Sequence, residues 1–250
     1  MLQSLHSKQT MNLQQALGIA MQASCDDCDL FDFAVYGPRR SGTNYLQKLI
    51  LLNTLNLQFL CLDKNFNDQQ CKLVVNAFDR LGSKHSMLDK KVVDKLNGSH
   101  INFVIAKSNL KEWVYSRCAY QKTFQPDFTV SEEALYKWIT KEYLDFLDLI
   151  SKNNNGCNLI FFKHEELSAD LLRKNLLLFE NKIILTKFPV DITATMGPSG
   201  SISNKQYVKR VSKGDVIIDK YCDSSIFSQQ LELQQQILSS LDSSPTSLEV

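Results

Sequence analysis

A loop near residue 40 gathers glycines and hydrogen-bond donors in a pattern that suits an anion. Gly37 and Gly42 stand five positions apart in GPRRSGTNYL (37–46), which follows the apolar stretch FDFAVY and leads into YLQKLILL. A glycine-spaced loop between a strand and a helix can hold a phosphate on backbone N–H groups at the positive helix end. The loop also carries several side chains able to donate hydrogen bonds: Arg39, Arg40, Ser41, Thr43 and Asn44. This combination predicts an anion site.

The same loop lacks the residues that a magnesium-dependent nucleotide site needs. Thr43 stands where a P-loop carries its phosphate-binding lysine, and Asn44 stands where it carries a hydroxyl for Mg²⁺. The next predicted strand ends in Lys107 instead of a metal-binding aspartate. The prediction is therefore an anion loop without a metal. Two alternatives stay open, a P-loop phosphotransferase that uses ATP or another nucleotide, and a non-catalytic protein with a degenerate cofactor site.

The segment from Pro38 to Leu46 resembles the 5′-phosphosulfate loop of sulfotransferases that use 3′-phosphoadenosine 5′-phosphosulfate (PAPS). It is closest to the bacterial branch, whose loop reads SGTN followed by an aromatic residue and leucine. The resemblance implies transfer of a sulfuryl group to an acceptor hydroxyl, with PAPS as donor and no metal. It places Arg40 beside the sulfuryl group, where a fixed cation stabilises the charge that develops on the leaving phosphate oxygen. The residues that it assigns to the 5′-phosphate are Ser41, Gly42, Thr43 and Asn44, with Arg39 as a further cofactor contact.

Two later segments resemble the parts of these enzymes that bind the 3′-phosphate. AKSNLKEWVYS (106–116) resembles a strand leading into a helix, and it implies that Ser116 contacts the phosphate. Ser108 stands where the family has a basic residue, so Lys107 or Lys111 would supply the charge. The basic segment QYVKRVSKGD implies a closing loop, from which Arg210 is the candidate contact.

The acceptor hydroxyl needs a general base, and a histidine of near-neutral pKa suits this task. His85, in GSKHSML, resembles the Lys-His element of the bacterial relatives and is the candidate base. FFKHEEL (161–167) resembles the strand-end segment of the family and is interpreted as structural. Within it, Glu165 is the residue that has some chance of touching the active site.

Alternating apolar strands and helices predict one α/β domain over residues 1–250, with a parallel sheet of about five strands between helices in a P-loop-like three-layer sandwich. A helical lead-in is expected over 1–28 and a frayed tail over 243–250. The predicted strands are 31–37, 101–107, 158–163 and 182–188. The principal predicted helices begin at Thr43 or span 131–152, 171–180 and 226–241.

Composition limits the range of partners. The 28 basic and 27 acidic side chains give a net charge of +1, which argues against bulk attraction to nucleic acid. Seven cysteines, an odd number, favour a reducing compartment, and the acidic pair inside Cys25-Asp26-Asp27-Cys28 disfavours a reactive thiolate. No signal peptide or long apolar segment stands out, so a cytoplasmic protein is expected. The acceptor, which the resemblance allows to be a saccharide, and the oligomeric state are not encoded in any readable motif.

Overall fold

The computed structural model of the chain describes residues 29, 31–59, 100–125, 127–153, 158–179, 181–191 and 216–242. The predicted lead-in 1–28 and tail 243–250, the cysteine pair at 25 and 28, and the predicted site residues His85 and Arg210 lie outside these ranges. The described elements in chain order are β1 (Phe31–Tyr36), α1 (Thr43–Asn53), β2 (Leu57–Phe59), β3 (Ile101–Ala106), α2 (Leu110–Phe124), α3 (Glu132–Lys137), a π-helical segment (Trp138–Leu144), α4 (Asp145–Lys152), β4 (Leu159–Lys163), α5 (Ala169–Leu176), a short 3₁₀ helix (Leu177–Phe179), α6 (Val216–Cys222) and α7 (Ser225–Asp242).

The described strands form one parallel sheet in the order β2-β1-β3-β4. The chain leaves β1 toward β2 on one side and returns to β3 on the other. In sheets of this kind, ligands bind in the crevice beyond the carboxyl ends of the strands where the order reverses. Here that crevice lies beyond Tyr36 and Ala106, the last residues of β1 and β3. The predicted anion loop therefore follows one strand of the reversal point, and Lys107 follows the other.

Helices cover both faces of the sheet, so its strands are buried on each side. Phe33 and Val35 of β1 pack with α1 and α5 on the first face, whereas Ala34 and Tyr36 pack with α2, α4 and α7 on the second. Strands that are buried on both faces read as continuous apolar runs, which explains FDFAVY and INFVIA. The predicted α/β architecture with a parallel sheet between helices is confirmed.

One predicted strand is wrong. Residues 182–188 form no strand and make a single antiparallel bridge, from Leu185 to Thr54. Main-chain and side-chain groups of residues 53–56 bond this part of the chain instead. The Leu55 N–H donates to the Ile184 carbonyl at 2.8 Å, and the Thr186 N–H donates to the Asn53 carbonyl at 3.0 Å. Asn56 receives the Ile184 N–H at 2.8 Å and donates to the Lys182 carbonyl at 2.7 Å, while Asn53 bonds both backbone groups of Val190 at 2.9 Å. Apolar pattern alone does not reveal that asparagine side chains make several of the bonds that a strand partner would make.

The predicted helix 131–152 is confirmed as a continuous helical region from α3 through α4. Ser131 caps it as expected, because its hydroxyl accepts the Ala134 N–H at 3.1 Å. The π-helical segment in its middle was not predicted. That segment carries Tyr143, whose hydroxyl donates to the carbonyl oxygen of Lys107 at the end of β3. The long helix thereby supports the backbone beside the crevice.

The helix predicted at 226–241 is also confirmed, as α7. Its buried side chains include Phe227, Leu238 and Leu241. Gln234 of α7 donates to the Lys107 carbonyl at 3.1 Å, so this helix supports the same point of the backbone. Within the described ranges, no helix combines the length and the apolar character needed to cross a membrane.

Candidate anion-binding site

The backbone of the loop after β1 is held in an uncommon conformation. Arg40 has φ 68° and Gly42 has φ 91°, both in the left-handed region. A non-glycine residue pays roughly 1–2 kcal/mol for this conformation, and such residues concentrate at functional sites. The Ser41 N–H bonds the Pro38 carbonyl at 3.1 Å and closes the turn between them. The loop is thus a strained turn that leads directly into α1 at Thr43.

Both glycines of the motif are required by close neighbours. A Cβ atom at Gly37 would lie 2.4 Å from the carbonyl oxygen of Ile105 and 2.9 Å from Cγ2 of Thr43. A Cβ atom at Gly42 would lie 2.3 Å from Cδ2 of His164. The spacing that suggested a phosphate loop therefore has a structural basis: glycine lets β3 approach the loop on one side and His164 on the other.

The start of α1 offers donors that the described residues leave unused. Gly42 precedes the helix without a side-chain cap, and the first turn of α1 contains no acidic residue. Ser41 is 0% exposed, and its hydroxyl oxygen has no hydrogen-bond partner among the described residues. Thr43 is also buried, while the side chain of Asn44 lies outside the described part of the structure. A buried polar group without a partner is costly, and an anion bound at the helix end would satisfy it.

The two arginines of the loop have different environments. The Arg40 guanidinium lies over the ring of Tyr120 from α2, 4.8 Å from its centroid, and the residue is half-buried. Arg39 is exposed, and its carbonyl oxygen accepts the indole N–H of Trp113 at 2.6 Å. Stacking on an aromatic face restricts the Arg40 side chain and keeps its charge near the loop. Arg39 connects the loop to α2 through its backbone.

Helix α2 presents one face to the loop. Trp113 and Tyr120 both contact it, and Ser116 falls between them at helical spacing, so the three residues share a face. Ser116 is half-buried there. The structure therefore brings the predicted 3′-phosphate serine to the same side of α2 as the residues that hold the loop.

The turn between β3 and α2 has its donors already engaged. Glu165 accepts hydrogen bonds from the backbone N–H and the hydroxyl of Ser108, at 2.9 and 3.0 Å. Burial pushes the pKa of Glu165 upward, but these bonds outweigh it and the pKa is lowered, so the carboxylate is ionised. Lys111 pairs with Asp219 of α6 at 3.4 Å. The Lys107 side chain is half-buried, and its carbonyl accepts from Tyr143 and Gln234.

His164 lies against the loop, although the sequence pattern assigned its segment a structural role. Its backbone N–H bonds the Ala106 carbonyl at 2.8 Å, and its ring lies against Gly42, with the Tyr45 ring centroid 6.2 Å away. Burial lowers the pKa of His164, the positive charge of Lys107 lowers it further, and Glu165 partly opposes both. The sequence carries a signal for this position, because a residue directly after a parallel strand lies at the ligand-binding edge of the sheet.

The structure thus groups the predicted loop residues Arg39 to Thr43 with Ser116 at one edge of the sheet, and adds His164. Lys107 lies at the same edge, whereas Lys111 is turned to Asp219. Among the described residues, no three His, Cys, Asp or Glu side chains cluster in a way that would hold a metal ion. In comparisons with protein-family models, curated proteins and solved structures, the chain has no match.

Proposed function

We propose that the protein is a PAPS-dependent sulfotransferase with a P-loop-like fold that transfers a sulfuryl group to an acceptor hydroxyl. The observation that carries this proposal is the buried, unpartnered Ser41 hydroxyl, set between two left-handed residues at an uncapped helix start. An anionic ligand would supply the hydrogen-bond acceptor that this hydroxyl does not have among the described residues. The SGTN motif at this position, with its cation upstream and no lysine after Gly42, favours a phosphosulfate over a magnesium-bound triphosphate.

Each residue has a role in this proposal. Ser41, the backbone of Gly42 and Thr43, and Asn44 hold the 5′-phosphate of the donor, while Ser116 contacts its 3′-phosphate. Arg40 stabilises the charge on the phosphate oxygen as its bond to sulfur breaks and the acceptor oxygen bonds to sulfur. The acceptor proton passes to a base, for which His85 is the candidate. The products are a sulfate ester, 3′-phosphoadenosine 5′-phosphate (PAP) and a proton.

A binding experiment separates this function from its alternatives. PAP is expected to raise the melting temperature in the absence of magnesium, because a ligand of the native state stabilises it. Ser41→Ala is expected to melt no lower than the wild type without ligand, since it removes an unsatisfied buried group, yet to lose most of the PAP effect. A response to ATP that requires magnesium would instead indicate a phosphotransferase. No response to PAP would contradict the proposal.

A turnover experiment tests the role of Arg40. Release of PAP from PAPS is measured with a panel of hydroxyl acceptors that includes sugars. Arg40→Ala is expected to lower kcat by about 100-fold or more, because the cation acts mainly on the transition state. Arg40→Lys retains a cation and should keep part of the activity. Arg39→Ala is the matched control: its contact to Trp113 is made by the backbone, so loss of its exposed side chain should raise KM for PAPS but leave kcat nearly unchanged. Full activity in Arg40→Ala would refute the assignment, while PAP binding without turnover of any acceptor would indicate a non-catalytic binding protein.

A further inference from the structure

We propose that His164 is an anion-binding residue of this site, and that its imidazole takes up a proton when the 5′-phosphate group of the ligand binds beside Gly42. This inference rests on the proposed function and adds a residue that the sulfotransferase motif did not indicate. It assigns to His164 part of the charge that a P-loop lysine would provide.

The position of the ring carries the inference. A Cβ atom at Gly42 would lie 2.3 Å from Cδ2 and 3.0 Å from Nε2 of His164, so the ring edge that bears Nε2 faces the residue preceding α1. His164 follows β4, and its backbone N–H pairs with Ala106 of β3 as in a continuing ladder. Side chains alternate along a strand, so His164 falls on the same face as Phe162, the face that α1 covers.

The buried hydroxyl of Ser41 supplies an independent sign that a ligand binds here. It lies next to Gly42, is 0% exposed, and has no hydrogen-bond partner among the described residues. Packing explains a histidine against a glycine, but it does not explain why the adjoining hydroxyl is left without an acceptor. Ser41 precedes Gly42 in the chain and His164 lies against Gly42, so both groups adjoin the helix start, where the positive end of α1 favours an anion.

The charges around the imidazole oppose its protonation until an anion arrives. Lys107 at the end of β3 repels the imidazolium, burial disfavours it, and Glu165 opposes them only in part, which holds the pKa of His164 below its usual range. On the α1 side the neighbouring group is Tyr45, whose pKa is raised by burial and by Asp191, so it is uncharged. A phosphate beside Gly42 adds negative charge and raises the pKa of His164. Its Nε2–H then donates to a phosphate oxygen.

Calorimetry of PAP binding at pH 7 in two buffers of different ionisation enthalpy measures the proton uptake. The wild type is expected to take up a fraction of a proton per PAP. His164→Gln should lose this uptake and bind PAP about tenfold more weakly or worse, because a charge-assisted bond is lost. His100→Gln is the control: His100 also has a pKa lowered by burial, but it lies at the opposite edge of the sheet. It should retain both the uptake and the affinity.

Several outcomes decide the inference separately from the proposed function. Unchanged uptake and affinity in His164→Gln would overturn it while leaving PAP binding intact. If the wild type does not bind PAP, the proposed function fails, and the same titrations with inorganic pyrophosphate decide whether His164 serves another phosphate ligand. No binding of either ligand overturns both. If His164→Gln does not fold, NMR titration of the histidine Cε1–H signals of the wild type replaces it, and the inference requires one pKa to rise on addition of PAP.

Discussion

The loop after β1 and the turn after β3 lie at the same edge of the sheet, but a serine hydroxyl is unpartnered in the first and hydrogen-bonded in the second. In the loop, the Ser41 hydroxyl is buried without a partner among the described residues, and no side chain caps α1. In the turn, Ser108 gives both its donors to the carboxylate of Glu165, and Asn109 caps α2 by accepting the Glu112 N–H at 3.0 Å. No acidic side chain caps the helix that follows the loop, whereas the Glu165 carboxylate already accepts the donors of the turn.

If the protein binds PAPS as proposed, the loop after β1 and the turn after β3 would form two differently prepared halves of the nucleotide site. A phosphate at the β1 loop would meet the unpartnered Ser41 hydroxyl and the uncapped start of α1, where no acidic side chain has to be displaced. A phosphate at the β3 turn would have to displace Glu165 or approach beside it, against like charge. Affinity for a nucleotide with both phosphates should therefore come mainly from the 5′ side, and it should be adjustable through the carboxylates on the 3′ side.

Among these variants, Gly42→Ala is expected to have the largest effect on stability and PAP affinity, because it alters the loop after β1. The added Cβ would meet His164 at 2.3 Å and would occupy a left-handed backbone at φ 91°. The free energy of unfolding should fall by roughly 1–2 kcal/mol from the backbone alone, and PAP binding should weaken by about tenfold or more. Denaturant unfolding and PAP titration measure the two effects.

The double variant Gly42→Ala/His164→Ala provides the matched control for that prediction. Removing the ring relieves the clash but not the backbone strain, so it should recover only part of the stability lost in Gly42→Ala, relative to His164→Ala alone. Wild-type stability and PAP affinity in Gly42→Ala would show that the loop tolerates a side chain, and the description of a tightly formed anion cradle would be wrong.

A smaller effect on PAP affinity is expected from Glu165→Gln, which alters the turn after β3. The change keeps an oxygen that can accept from Ser108 and removes the negative charge. PAP affinity should rise about fivefold, as expected for one like charge a few ångströms away in water. The affinity for adenosine 5′-phosphate should rise less, because the Glu165 charge also raises the pKa of His164 beside the 5′-phosphate. Glu166→Gln, an exposed neighbour that faces Lys163, serves as control. Equal gains for both nucleotides would contradict a 3′-phosphate at this turn.

The smallest effect is expected from Asp219→Asn. Asp219 pairs with Lys111 at 3.4 Å and accepts from the Tyr115 hydroxyl, and both groups of the ion pair are well exposed. Releasing Lys111 should raise PAP affinity by about twofold or less, since exposed pairs contribute little, and should leave thermal stability nearly unchanged. Asp223→Asn, an exposed acidic residue on the same segment, is the control. Weaker PAP binding in Asp219→Asn would contradict this prediction and show that the pair with Asp219 helps Lys111 to support binding.

Sequence reasoning predicted the parts of this molecule whose causes are local. The strand–loop–helix at 31–53 follows from an apolar run, two glycines and helical spacing, and the Ser131 cap follows from its place before two glutamates. These patterns depend on neighbours within a few residues. They were sufficient for the parallel sheet, for its covering helices and for the position of the loop after β1.

The features that escaped prediction depend on contacts between distant residues. The Glu165 carboxylate reaches Ser108 across 57 positions, and the Asn56 side chain satisfies the backbone of Ile184 across 128. Nothing in the segment 182–188 indicates that the distant Asn56 side chain would bond its backbone in place of part of a strand ladder. The position of His164 against the loop escaped for the same reason, because it follows from β4 lying next to β3 and from the proximity of Gly42.

The bond from Trp113 to Arg39 has a consequence for how this loop can change through evolution. Its acceptor is a main-chain oxygen, which every amino acid supplies at that position. The attachment of the loop to α2 is therefore indifferent to mutation at residue 39, provided that the indole is kept. Selection can then vary the exposed side chain at position 39, and with it the local surface charge. The backbone conformation at Arg40 would not change, because the bond to Trp113 stays in place.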